Sequence, residues 1–370
     1  MHVVQIEAFG LDHLKFRSRS KPPFGNGDVL VRMRAASLNS RDYLTVTGAY
    51  NPRQPLPLIP CSDGVGEVVA VGLDVHRFRP GDRVIPCFAQ GWVDGPFRSD
   101  FRRTTLGGPL DGTLAEYMAL AESGIVHAPG YLDDAEASTL PCAALTAWNA
   151  VVNQGRLEPG ETVLIEGTGG VAVFALQFAV MCGARPIVIS KSDDKLERAR
   201  RLGAAETINY LREPDWHEQA KEMTDGKGVD LVIELGGKNT LEKAVRAVKA
   251  SGQISLVGVL GGPVAPLNLP LVVMRNVRLQ GVTVGSRADF DNMLVDIEGC
   301  RLRPIVDRIF DIRDAVSAFE YLESAEHFGK VCIRHETGTG QGLAATRQSR
   351  EVSTGRGYPG PTGKGRSEVV

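Results

Sequence analysis

The chain lacks an excess of charge of either sign: 42 lysines and arginines face 44 aspartates and glutamates, a formal net of -2. That balance removes the electrostatic ground for nucleic acid or an anionic membrane surface as partner. It also lacks any apolar run of the roughly 18 residues a membrane span requires. Its first residues, Met1-His2-Val3-Val4-Gln5, have neither the basic nor the apolar region of a secretion signal, so the expected compartment is cytoplasmic. Cysteines are sparse and never closely paired: Cys61, Cys87, Cys142, Cys182, Cys300 and Cys332 stand apart. This spacing suits neither a disulfide framework nor a zinc ribbon, and reduced, mostly buried thiols are expected.

A length of 370 residues exceeds what one hydrophobic core usually serves, so two domains are expected. The most informative stretch is Thr162-Val163-Leu164-Ile165-Glu166-Gly167-Thr168-Gly169-Gly170-Val171-Ala172, which reads as strand, glycine turn and helix start. In this pattern Gly167 permits the tight turn and Gly169 allows backbone to approach a pyrophosphate. Ala172 is small enough for the helix to pack on the strand, while free amides at the helix start, from Gly170 and Val171 onward, hold phosphate oxygens. Glycine turns also occur as plain punctuation. Here the turn opens an alternation: strand 162–167, helix 171–182, strand 186–190, helix 193–202, strands 206–209 and 229–234, helix 240–250 and strand 253–259. Such alternation predicts a Rossmann-type α/β fold, a parallel sheet wound on both faces. Gly183 and Gly203 follow helices, where a left-handed cap residue is expected.

Before Thr146 the pattern changes to alternating strands near 29–35, 65–71 and 82–86, punctuated by turns such as Pro80-Gly81-Asp82-Arg83-Val84. Residues 88–112, rich in Gly, Pro, Arg and Asp, form a long excursion that shapes a pocket or is a mobile surface loop. Residues 336–370, with Thr-Gly-Thr-Gly and Gly-Tyr-Pro-Gly-Pro-Thr-Gly and little apolar content, are expected to be disordered.

The order of these elements, with the turn at Pro80–Val84 and the loop from Gly167 to Ala172, resembles the medium-chain dehydrogenase/reductase superfamily over about residues 1–335. The resemblance implies a doubly wound Rossmann domain, 147–286, inserted in a GroES-like β domain made of 1–146 and 287–335. It places the active site in the cleft between them. Zinc-dependent members supply a Cys, a His followed by Glu, and a second Cys or Asp. The matching positions here are Asn39, Ser62 followed by Asp63, and Cys142. One thiol cannot fill the three protein positions of a catalytic zinc. The cysteines of the family's structural zinc lobe are absent too, so a metal-free enzyme is expected.

Without a Lewis acid, oxidation of a simple alcohol loses transition-state stabilisation. Reduction of an activated alkene or quinone is less demanding, because the conjugated carbonyl spreads the charge as hydride arrives. The segment from Asn39 to Tyr50 resembles the Asn-x-x-Asp and Gly-x-Tyr elements of the zinc-free quinone and enoyl reductases. By that match Asn39, Tyr50 and Thr146 surround the nicotinamide and the substrate, with Asp42 orienting its neighbours. A phenol of ordinary pKa is protonated at neutral pH, so Tyr50 can donate to a developing enolate; otherwise it walls the pocket and water supplies the proton. Asn39 has the alternative of a turn-stabilising amide, and Thr146 that of a helix residue bonding its own backbone.

Cofactor choice is read at the end of the second strand, where a carboxylate would favour NAD. That position is Ser190, followed by Lys191. Lys195 and Tyr210 match family positions that contact the 2′-phosphate, so NADPH is expected. Asp193 and Asp194 fall in a helix's first turn, where acidic residues are ordinary. By the same resemblance Gly258 and Val259, in a small-residue strand end, approach the nicotinamide, and Glu234-Leu235-Gly236-Gly237 ends a strand nearby. Arg287 reaches a phosphate or solvent. The resulting expectation is a zinc-independent, NADPH-dependent reductase of an enone, quinone or related carbonyl substrate, with a homodimer as a further expectation. The alternatives are an alcohol or aldehyde dehydrogenase of the same fold, or an NADPH-binding protein without turnover.

Overall fold

The computed structural model describes residues 1–335; the segment 336–370, expected to be disordered, lies outside the described residues. The chain opens with β1 (His2–Ile6) and β2 (Leu14–Ser18), then lays down β3 (Asp28–Ser37), β4 (Asp63–Val71), β5 (Arg83–Pro86), β6 (Tyr117–Ala121) and β7 (Ile125–His127). It continues with β8 (Thr162–Glu166), β9 (Arg185–Ser190), β10 (Glu206–Asn209), β11 (Val229–Glu234), β12 (Val248–Leu256) and β13 (Arg278–Gly281). The strands β14 (Val306–Asp311) and β15 (Lys330–Arg334) come last. Pairing sorts them into a β1-β2 hairpin, a seven-stranded sheet ordered β14-β15-β3-β4-β5-β7 with β6 also on β3, and a six-stranded sheet ordered β10-β9-β8-β11-β12-β13.

The six-stranded sheet is wholly parallel. Its order reverses direction between β8 and β11, the place where doubly wound sheets open a ligand crevice. Parallel strands covered on both faces need continuous apolar runs, and β8 accordingly is buried at every residue. In contrast β3 alternates: Val29, Val31, Met33 and Ala35 are buried while Arg32 and Arg34 face out, the period of a half-buried strand. The chain then returns to this first sheet, with β15 antiparallel to β3 through Cys332 opposite Ser37, and β14 parallel to β15.

Helices α1 (Ser40–Val46), α2 (Asp134–Ser138) and α3 (Leu145–Trp148) precede the parallel sheet. Around it run α4 (Gly170–Met181), α5 (Asp193–Arg201), α6 (Trp216–Glu222), α7 (Leu241–Ala247) and α8 (Leu269–Met274), followed by α9 (Arg287–Cys300) and α10 (Ala315–Glu323). Ala172, Val173, Phe174, Ala175, Leu176, Phe178 and Ala179 of α4 are all buried, as a helix apolar on nearly every side requires. Gly183 and Gly203 close α4 and α5 with φ of +71° and +102°. No helix among the described residues is long and apolar enough to cross a membrane.

Three expectations need correction. The helix placed at 240–250 ends at Ala247, and Val248 already begins β12. The cause is tertiary: Arg275 donates to the carbonyls of Val245 at 2.9 Å, Arg246 at 3.2 Å and Val248, and so takes acceptors that a continuing helix would use. The strand expected to reach residue 259 stops at Leu256, because Val257 and Gly258 turn their N–H groups onto the Glu234 carbonyl. Of the cysteines, Cys61, Cys87 and Cys332 are buried, Cys142 and Cys182 are half-buried and Cys300 is exposed, so burial holds for only half of them.

Candidate active site

The glycine turn joins β8 to α4. Gly167 has φ +80°, the left-handed region that favours glycine, and a methyl group there would touch nothing within 4 Å, leaving an open cradle. Gly169 precedes α4, whose first amides have no partner within the helix. Gly170 is required by packing: a methyl there would lie 2.6 Å from Cδ of Lys330. Ala172 is buried against the strand and Val171 half-buried. At the neighbouring strand end, a methyl on Gly258 would lie 2.7 Å from the Leu235 carbonyl oxygen, so the close approach of β11 and β12 demands glycine. Val259 beside it is about half exposed.

Beneath the turn lie two acids. Glu166 ends β8 and Glu234 ends β11, one strand across, and both are buried. Oε2 of Glu166 accepts from the Leu235 and Gly236 amides, each at 3.0 Å. Oε1 of Glu234 accepts from Gly236 at 2.9 Å, Gly237 at 2.7 Å and Thr240 Oγ1 at 2.5 Å. The other oxygens, Oε1 of Glu166 and Oε2 of Glu234, are buried without donors. Burial, and then the Glu234 charge, push the Glu166 carboxyl well above its ordinary value. Glu166 is thus the acid of the two whose burial favours the protonated form.

A buried cation joins the glycine turn to the first sheet. Lys330 is 2% exposed, and its Nζ donates to the Leu38 carbonyl at 2.7 Å and to Asn39 Oδ1 at 2.6 Å, with Asp63 Oδ2 at 3.6 Å. Asp63 also receives the Ser62 hydroxyl at 3.0 Å and the Ser37 hydroxyl at 3.3 Å. Burial raises the Asp63 carboxyl, with Lys330 opposing, and the Asn39 amide faces the same carboxyl while its Nδ2 makes no hydrogen bond. Asp42 receives the Asn39 backbone N–H at 2.8 Å in the capping box of α1, and burial pushes it up to about 6. Cys142 lies among Asp63, Lys330, Arg41 and Asp42, and burial raises its thiol so that it stays protonated. One turn on, Thr146 is buried in α3.

Tyr50 is 55% exposed and held at the end of α1 by its N–H to the Leu44 carbonyl. The Arg41 guanidinium lies 5.1 Å from its ring centre and 4.9 Å from that of Phe88. Arg41 itself donates to the carbonyls of Leu106 at 2.9 Å and Gly108 at 3.2 Å, pinning the excursion to α1. The excursion is held by aromatic packing, with Trp92 stacked on Phe101 at 5.6 Å and Phe97 edge-on to both. It lines a cleft of about 460 Å³ with Asn149, Asn153, Gln280, Gly281 and Thr283. That cleft touches neither Asn39, Tyr50 nor Thr146. Arg287 lies 3.9 Å from Asp291, and its backbone N–H bonds Trp92, so it braces the excursion and does not extend freely into solvent.

At the far end of the turn, Tyr210 donates its N–H to the Ser190 carbonyl at 3.2 Å, placing both beside Lys191 at the close of β9. Ser192 caps α5. Lys195 donates to the Ala325 carbonyl at 2.6 Å; burial and then the Lys191 charge lower its pKa. Asp193 turns away onto Asn209 at 2.7 Å and Arg212.

Comparison with known proteins decides the family. Residues 25–130 match the alcohol dehydrogenase GroES-like domain and residues 170–298 the zinc-binding dehydrogenase domain. A zinc-type alcohol dehydrogenase-like protein of Schizosaccharomyces pombe is 40% identical, over 90% of this chain and 98% of its own. The chain belongs to the medium-chain dehydrogenase/reductase superfamily. A quinone oxidoreductase of Pseudomonas aeruginosa is 31% identical over 91% of this chain and 97% of its own. The crystal structure of a candidate alcohol dehydrogenase from Sinorhizobium meliloti superposes with a TM-score of 0.85 at 41% identity, covering 90% and 98% of the two chains. This medium-chain oxidoreductase therefore joins a GroES-like domain to a Rossmann sheet, as its sequence led us to expect.

Among the described residues no three His, Cys, Asp or Glu side chains converge as metal ligands. Zinc also does not fit the donors at the matching positions. The Asn39 oxygen and the Asp63 carboxylate are already turned to the Lys330 ammonium, and a dication beside that ammonium would be repelled. A dinucleotide fits: the open cradle at Gly167 and the free amides of α4 suit its phosphates. No sequence motif marks Lys330, Arg41, Glu166 or His327 as a site residue. Faint signals existed, namely a lysine heading the apolar strand Val331–Ile333, a cation in the first turn of α1 and a carboxylate ending an otherwise apolar buried strand.

Proposed function

We propose that this oxidoreductase works without zinc and uses NADPH to reduce an enone, a quinone or a related activated carbonyl compound. The observation that carries this reading is the Lys330 ammonium seated on Asn39 and Asp63, at and beside positions that match the metal ligands of zinc-dependent relatives. A fixed cation there holds negative charge in place but cannot offer the open coordination site that polarises an alcohol or carbonyl oxygen.

When bound, NADPH supplies the hydride. The chain's own part is to hold and orient. Amides from Gly169 to Ala172 receive the diphosphate, and the Gly258–Val259 strand end supports the nicotinamide. Ser190 in place of a carboxylate, with Lys191 next to it, Tyr210 bonded to its carbonyl and Lys195 in the first turn of α5, favours a 2′-phosphate, and the engagement of Asp193 with Arg212 and Asn209 removes a nearby competing acid. Tyr50 donates its phenolic proton to the oxygen on which charge develops, with the Arg41 cation against its ring. Asn39, fixed through Oδ1 by Lys330, and Thr146 line the same junction.

The alcohol dehydrogenase names of similar proteins favour a second reading, carbonyl reduction on the same scaffold. Reduction with NADPH deuterated at C4 separates the two. Label on the β-carbon of the product supports alkene reduction, and label on the carbinol carbon overturns it in favour of the carbonyl.

A further inference from the structure

We infer that His327 is part of the diphosphate site and takes up a proton when the dinucleotide binds. The inference rests on the dinucleotide reading above and adds a residue and a proton to it. The segment Ser324–Gly329 is tied to the glycine turn by backbone: Gly329 donates to the Thr168 carbonyl at 3.0 Å and pairs with Gly169 in a parallel bridge. His327 is thereby laid on the turn, so that a methyl group at Gly169 would lie 3.7 Å from its Nε2 and touch nothing else within 4 Å. Its other nitrogen, Nδ1, is buried and has no partner. Nε2, at the phosphate cradle, is the nitrogen placed for a ligand that the fold alone does not supply, and Nδ1 makes no hydrogen bond that would hold the ring to another partner.

The charges around the ring give the direction. Lys195 from α5, Lys330 from β15 and Asp307 from β14 lie close enough to act on its charge, and the Tyr321 ring of α10 packs edge-on at 6.4 Å. Asp307 is itself engaged by Arg198 at 3.1 Å and the Tyr321 hydroxyl at 2.7 Å, so little of its charge is left for the imidazole. Burial, then the two lysines, hold His327 down at about 4, and the free protein carries it neutral. A diphosphate on the turn brings two negative charges into this cationic corner and reverses the balance. The imidazole then gains a proton from solvent and donates to a phosphate oxygen, while its ammonium neighbours lose part of their repulsion.

The test is calorimetric titration of the full chain with NADPH at pH 6, in two buffers of unlike ionisation enthalpy, for wild type and His327→Gln. Proton exchange by the 2′-phosphate is common to both proteins and cancels in their difference. Wild type is expected to take up at least half a proton more per site than the variant, and to lose affinity more steeply than the variant between pH 6 and pH 8. Equal proton counts with binding intact would overturn the inference and leave the dinucleotide reading standing. Absence of saturable binding by wild type to NADPH and NADH alike would overturn that reading and this inference together. Should the variant fold poorly, imidazole NMR of wild type decides: the His327 ring, assigned by its contact with the Tyr321 ring, must shift its titration upward on adding NADPH, and an unmoved titration rejects the role.

Discussion

Replacing Glu166 by glutamine should stabilise the protein at neutral pH. In the Glu166→Gln variant the side-chain oxygen still accepts from the Leu235 and Gly236 amides, and the new amide nitrogen donates to the Glu234 oxygen that has no partner. The amide thus reproduces the protonated acid without a proton to lose. In wild type the native carboxyl is raised above the ordinary 4.5. A raised acid binds more protons folded than unfolded, so its contribution is full below the ordinary value and declines as pH rises toward the native one. The decline has a slope of about 1.4 kcal/mol per pH unit. By pH 7 the cost to wild type is at most about 3.5 kcal/mol by the same linkage. Urea denaturation of both proteins at pH 5, 6, 7 and 8 measures it, and the variant's advantage should grow with pH until the native acid ionises. Parallel stability profiles, or a variant weaker by about 1 kcal/mol or more throughout, would refute the raised Glu166 acid.

Two other substitutions address the junction. Lys330→Met leaves the buried Asp63 without its cation and should cost about 3 kcal/mol or more in denaturation, with Asp63→Asn recovering part of the loss in the double variant; a cost under about 1 kcal/mol would mean the pair is not coupled. Tyr50→Phe should lower kcat about tenfold or more with KM little changed, and full turnover would reduce Tyr50 to a wall of the pocket. Because Tyr50 is more than half exposed, its stability should stay within about 0.5 kcal/mol of wild type, so the kinetic result is not confounded by unfolding.

What the sequence made legible was local. The turn from Gly167 to Ala172 announces itself because β8, the glycines and the apolar α4 are contiguous, and each residue type answers a nearby need. The same holds for Asn39 and Asp42, three residues apart at a helix start. The residues that were missed act across the fold. Lys330 meets Asn39 only because β15 returns to β3 after the whole parallel sheet has been laid down, and His327 reaches Gly169 by the same return. The helix expected over 240–250 failed for a related reason: Arg275, far along the chain, takes the carbonyls that local propensity would have kept helical. Glu166 falls inside the glycine-turn motif, but its partner Glu234 stands one strand away in space and 68 residues away in sequence, where spacing carries no signal.

The central claim, hydride transfer without zinc, is tested most directly by NADPH oxidation with protein stripped of metal by a chelator and verified by elemental analysis, against matched panels of quinones, enones, aldehydes and ketones. The account predicts turnover on quinones or enones that is unchanged by chelation and not increased by added zinc. Turnover confined to aldehydes, ketones or their alcohols, and dependent on restored zinc, would contradict it.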